Sequence, residues 1–173
     1  VDTNTSLEWR HAKDPSVLWA TALGVGFARP APGTWGSIAA VVFWWWLLAP
    51  LAVGIQLLIC VGYFLTGWWA SQRVCQSHGV EDASEIVADE VAGMWLALAA
   101  VSVVYPVDAP VWIVLFAFVV FRLFDILKPG PIGWLDRELH GGLGIMADDM
   151  VAGAVTGGLV VCVYQVSVHV FGG

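Results

Sequence analysis

Residues 87–105 read VADEVAGMWLALAAVSVVY: two adjacent acids, Asp89 and Glu90, followed by an apolar run that carries no further charge. The run approaches the roughly 20 residues that a helix needs to cross a bilayer. On such a helix Gly93 lies one turn beyond Asp89 on the same face. The stretch therefore predicts a membrane helix with an acidic pair at its start. Four more apolar segments, at 37–49, 51–70, 110–126 and 149–170, extend the pattern along the chain. We expect an all-α, polytopic helical membrane protein with about five membrane helices. Segment 37–49 is short and Pro50 parts it from the next, so it either spans or re-enters.

Composition points the same way. Of 173 residues 59% are hydrophobic, with a mean hydropathy of +0.79, well beyond a soluble domain. A net charge of -7 argues against nucleic acid as a partner. Cys60, Cys75 and Cys162 have no disulfide or metal spacing and read as reduced packing residues. The polar first residues lack a cleavable signal pattern, so insertion would rely on the internal spans. Residues 1–13 read as a flexible tail, and 14–173 as a single membrane-embedded domain. Asp14-Pro15 matches an N-cap followed by proline at the first helical position, which predicts a short interfacial helix over roughly 15–23. The glycines and prolines of residues 24–36 then predict an irregular loop.

All seven basic residues (Arg10, Lys13, Arg29, Arg73, Arg122, Lys128 and Arg137) fall on one side of a five-span arrangement. The positive-inside rule makes that side cytoplasmic. The turns at Pro50 and at Pro106–Pro110 face away and carry only Asp108. Asp89-Glu90, Asp125, Asp136 and Asp148-Asp149 share the cytoplasmic side whether or not segment 37–49 spans. The eleven tryptophans suit interfacial anchoring.

Carboxylates beside hydrocarbon are costly, and adjacent ones repel each other unless a cation compensates them. At helix N-termini they also complement the helix dipole, a weaker account of two adjacent pairs. Oxygen donors without His or Cys favour Mg²⁺ over zinc. Gly93 after the first pair and Gly153 after Asp148-Asp149 predict a close helix contact across which the pairs face each other. In Phe121–Arg137, the three-residue spacing of Arg122, Asp125 and Lys128 predicts an ion-pair ladder ended by Pro129. The ladder opens onto a loop holding Asp136, Arg137 and Gly141-Gly142-Leu143-Gly144. In residues 24–37 unobstructed backbone amides, Arg29, Thr34 and Ser37 precede a helix, an arrangement that can hold phosphate without being a nucleotide P-loop. His140, next to the glycines and near the second acidic pair, is the histidine to test.

Taken in order, Arg29-x-Ala31-Pro32-Gly33-Thr34-x-Gly36-Ser37, Ile86-Val87-x-Asp89-Glu90-x-x-Gly93, Phe121-Arg122-x-Phe124-Asp125-x-x-Lys128-Pro129-x-Pro131-Ile132-x-x-x-Asp136-Arg137 and Gly141-Gly142-x-Gly144-Ile145-Met146-x-Asp148-Asp149-x-x-Ala152-Gly153 resemble the phosphatidylglycerophosphatase A family over roughly residues 18–165. The resemblance implies an all-helical, Mg²⁺-dependent enzyme of the bacterial inner membrane. Its reaction would be hydrolysis of phosphatidylglycerol phosphate to phosphatidylglycerol and inorganic phosphate at the cytoplasmic face. On this reading Asp89, Glu90, Asp148 and Asp149 hold the metal. Asp149 is catalytic, and Asp125 or Asp136 acts as general base or completes the metal shell. Arg122, Lys128, Arg137 and Arg29, with Thr34 and Ser37, bind the substrate phosphate. The nucleophile is either a water activated at the metal or an aspartate that becomes phosphorylated. The alternatives are a phosphatase of another lipid phosphomonoester and a divalent-ion transporter, and the glycine-lined helices would permit a homodimer.

Overall fold

The computed structural model describes residues 6–80 and 83–171. Every regular element among them is helical: α1 (Pro15–Ala20), α2 (Pro32–Phe43), α3 (Val53–His78), α4 (Ala88–Val104), α5 (Val111–Leu127), α6 (Pro131–Glu138) and α7 (Gly141–Phe171). Short 3-10 turns occupy Trp9–Lys13 and Val25–Phe27, and a π-helical turn, Trp44–Leu48, continues α2. Helix α4 is the axis of the bundle, packed against α7, α3, α2 and α5. Its Met94, Leu98 and Val101 join Ile113, Phe121 and Trp44 in the main core.

The first apolar segment is helical, as α2 and the π-helical turn that continues it. Gly33, near the start of α2, abuts Glu90 in the first turn of α4. At the other end Trp44 Nε1 donates to Gln56 Oε1 at 3.1 Å, and Ser102 Oγ, near the end of α4, donates to the same oxygen at 3.0 Å. Helix α2 thus runs alongside α4 for nearly its whole length. The buried Gln56 also donates to the Leu51 carbonyl at 2.9 Å, so this knot leaves no amide group bare where doing so would cost about 1–3 kcal/mol.

Among the described residues only Val53–His78 and Gly141–Val170 are long and apolar enough, each by itself, to cross a membrane. The expected count of five is not reproduced on that measure, because α2, α4 and α5 have 12, 17 and 17 residues. Three boundaries also differ from expectation. Helix α2 starts at Pro32, since proline at the first helical position needs no intrahelical N–H partner. The segment 127–148, expected as loop, holds α6 and the first two turns of α7. Glycine there serves close packing: a side chain on Gly142 would strike the Trp68 carbonyl and Gln72 backbone of α3. Gln72 Oε1 accepts from Gly142 N at 2.9 Å and caps α7.

Asp14 does cap α1, accepting from Ser16 N at 2.8 Å, with Pro15 next. The helix ends at Ala20, short of the expected residue 23. Residues 1–5 of the expected tail lie outside the described residues. Within residues 6–13, Trp9–Lys13 form a 3-10 turn and buried Leu7 donates its N–H to the Glu85 carboxylate at 3.0 Å.

Candidate active site

Helices α4 and α7 meet where neither has a side chain. A Cβ on Gly93 would strike the Asp149 carbonyl, and one on Gly153 would strike the Gly93 carbonyl. This contact brings the first turn of α4 to the third turn of α7, and carboxylate oxygens of Asp89, Glu90 and Asp149 lie within 4.8 Å of one another. Asp149 is buried, and Asp89 Oδ1, Glu90 Oε2 and Asp149 Oδ2 have no hydrogen-bond partner. Three converging carboxylates with orphaned buried oxygens, and no His or Cys among them, fit a hard divalent cation such as Mg²⁺.

Asp148 stands beside this trio with a different partner. Its Oδ2 lies 2.7 Å from Lys128 Nζ, while Oδ1 is buried and unpaired. Lys128 also pairs with Asp136 on α6. The expected ladder therefore stops one step early: Lys128 is the C-cap of α5 with a left-handed φ of 44°, which takes it off the helix face and toward α6 and α7. Burial penalises its charge, yet the two carboxylates outweigh that and hold its pKa above the usual lysine value.

The other half of the ladder forms. Arg122 pairs with Asp125 three residues on, lies 3.6 Å from Glu90 Oε1 and donates to Ser37 Oγ at 3.4 Å. Asp125 is within electrostatic reach of Asp89, Glu90 and Asp149. A Cβ on Gly33 would strike both Glu90 and the Arg122 guanidinium, so the backbone of the first turn of α2 lies directly on them. Ser37 Oγ in turn donates to the Gly33 carbonyl at 2.9 Å, and Thr34 is half-buried in the same turn.

Two expected phosphate ligands lie elsewhere. Arg29 Nη2 is 2.5 Å from Glu85 Oε1, an acid with no exposed side-chain surface. Arg137 is exposed on α6, its guanidinium folded back near Gly133. Glu85 escaped the sequence reading: one of three acids in the segment Glu81–Glu85, it carries no sign that Leu7 and Arg29 will bury it. Gln72 was equally silent.

Beside the carboxylate trio opens a cavity of about 360 Å³. Asp89, Lys128, Asp136 and Asp148 line it, together with Gln76 and His140. Adjacent residues of α4 thus face two surroundings, Asp89 the cavity and Glu90 the first turn of α2.

The model of a family described as phosphatidylglycerophosphatase A matches residues 18–164. A phosphatidylglycerophosphatase A of Escherichia coli (strain K12) is 40% identical over 152 residues, covering 84% of this chain and 81% of the relative. One from Haemophilus influenzae is 43% identical over 139 residues, covering 80% and 82%. No solved structure matches.

Proposed function

As the chain belongs to the phosphatidylglycerophosphatase A family, we propose that it hydrolyses phosphatidylglycerol phosphate to phosphatidylglycerol and inorganic phosphate, with Mg²⁺, at the cytoplasmic face of the bacterial inner membrane. The observation that carries this reading is the convergence of Asp89, Glu90 and Asp149 on one point. Those three would hold the ion, with Asp148 next to them as a fourth carboxylate. Bound there, Mg²⁺ would offset the charge that builds on the phosphoryl oxygens during transfer.

The chain's own groups do the rest. Arg122, steadied by Asp125 and Glu90, presents a planar fork to two phosphate oxygens. The first turn of α2, with Thr34 and Ser37, adds backbone and hydroxyl donors. Lys128 brings its charge to the cavity wall, and Arg137 is the outermost cation. Asp125 or Asp136 accepts the proton of the attacking water. Arg29, committed to Glu85, positions the segment before α2.

We assign the bundle to the membrane as five spans. Ile55, Leu58, Val61 and Leu65 on α3, and Leu115, Val119 and Leu123 on α5, form exposed apolar rows. Such surfaces suit lipid, and 17-residue helices reach the lower end of the spanning range. A lipid substrate would then lie with its acyl chains in the bilayer and its phosphate at the acidic end. A divalent-ion transporter would place its acids near the middle of the helices. Here Asp89 and Glu90 open α4 and Asp125 closes α5.

The test is phosphate release by the purified protein in detergent, from phosphatidylglycerol phosphate and from phosphatidic acid, with Mg²⁺ or with excess chelator. Mg²⁺-dependent release from the first alone is the expected result. Release from both would widen the substrate to lipid phosphomonoesters, and release from neither by folded protein would overturn the reading.

A further inference from the structure

Glu85 is fully buried and has no task in the reaction proposed above. Burying a carboxylate is costly unless it is paired and its oxygens are hydrogen-bonded. Both conditions are met: Oε1 lies 2.5 Å from Arg29 Nη2, and Oε2 accepts from Leu7 N at 3.0 Å. The ion pair joins two segments that each run directly into part of the site. Glu85 leads into the first turn of α4, which carries Asp89 and Glu90. Arg29 leads into the start of α2, which carries Thr34 and Ser37.

The same two segments touch at three glycines. A Cβ on Gly26 would strike the Glu85 carbonyl, one on Gly36 the Val87 side chain, and one on Gly33 the Glu90 carboxylate. Packing of this kind limits how closely the segments approach but has no direction of its own, whereas a charge-assisted hydrogen bond fixes direction as well as distance. Resting on the phosphatase reading above, we infer that Glu85 is a positioning residue: through Arg29 it sets the start of α2, with its phosphate donors, in register with Asp89 and Glu90. The carboxylate trio itself depends on a different contact, that of Gly93 with Gly153. Glu85 therefore acts on the phosphate side of the site and leaves the ion's side alone.

The experiment measures kcat/KM on phosphatidylglycerol phosphate, in detergent and well below the melting temperature, for wild type, Glu85→Gln, Arg29→Gln, the double variant and Arg29→Lys. The rise in melting temperature on adding Mg²⁺ is recorded for each. Glutamine keeps the shape of Glu85, and Arg29 is mostly exposed, so its variants should fold. A misplacement of about 1 Å can cost about a hundredfold in rate, and we expect each single glutamine variant to lose about tenfold or more. The double variant should be no worse than either, because the pair acts as a unit. Arg29→Lys, which retains the ion pair, should recover most of the loss, and the Mg²⁺-induced rise should persist in all. If Arg29 instead bound phosphate on its own account, Arg29→Gln would be damaging and Glu85→Gln harmless, which would overturn the inference and leave the phosphatase reading standing. A lower melting temperature with unchanged kcat/KM, the mark of a merely structural pair, would overturn it too, as would loss of the Mg²⁺-induced rise. Unchanged kcat/KM in Arg29→Gln decides against it even where Glu85→Gln does not fold. A folded wild-type protein inactive on this lipid would remove the phosphatase reading and this inference with it.

Discussion

The carbonyl oxygen of Asp149 sits against the α-carbon of Gly93, where no side chain fits. The same approach that closes α4 on α7 therefore sets the distance between the acids they carry. Gly93→Ala must push the helices apart. Overpacking of this kind costs about 1–3 kcal/mol, and we expect a lower melting temperature together with a loss of activity. Gly62→Ala, where a methyl group would meet nothing within 4 Å inside the chain, serves as the control and should leave both unchanged. Thermal melts and phosphate release in one detergent check the pair.

Asp149→Asn keeps the shape of a buried side chain and removes its charge from a trio of carboxylates. We expect turnover to fall by about a hundredfold or more, the scale seen when a metal site loses key support. The wild-type protein should melt at a higher temperature with Mg²⁺ present, because an ion that binds only the folded state stabilises it. The variant should lose that rise. A variant with full activity would take Asp149 out of the site.

Arg122 meets Asp125, Glu90 and Ser37 with a single guanidinium. Lysine retains the charge but cannot fork, so Arg122→Lys should lower kcat/KM by about tenfold or more while largely preserving the melting temperature. Arg122→Ala should damage both, because removing one partner leaves two mostly buried acids uncompensated. Lower kcat/KM with an unchanged Mg²⁺-induced shift in melting would mark Arg122 as a phosphate ligand.

The cap of α1 makes a pH-dependent prediction. The Ser16 N–H lowers the Asp14 pKa, partial burial opposes this, and His78 assists the lowering. A folded pKa below the unfolded one contributes stability that is fully present above the unfolded value and disappears as pH falls through the folded value. Asp14→Ala should therefore cost about 0.5–2 kcal/mol at neutral pH. The gap between variant and wild type should narrow as pH drops below about 4. Melting curves of both proteins across that range check it.

Much of the site could be read from the chain because its determinants are local. Asp89-Glu90 with Gly93, and Asp149 with Gly153, announce a close helix contact through spacing alone, and Asp14-Pro15 announces a cap. What escaped depends on partners far away in sequence. Gly141-Gly142-Leu143-Gly144 has the composition of a loop, yet it forms the start of α7, and the backbone of α3 lies where a side chain on Gly142 would be. Lys128 has helical spacing from Asp125, yet the left-handed turn at its own position sends it to Asp136 and Asp148. Arg29 carries the charge of a phosphate ligand and is taken by Glu85.

Glu85 also sets an order of events during synthesis. Leu7 leaves the ribosome 78 residues ahead of the carboxylate that will accept its N–H. At about 5–20 residues per second that is a wait of roughly 4–16 s. Through that interval α1, α2 and the whole of α3 are made without the N-terminal clasp, and the segment around Leu7 can dock only after the chain has turned back toward α4.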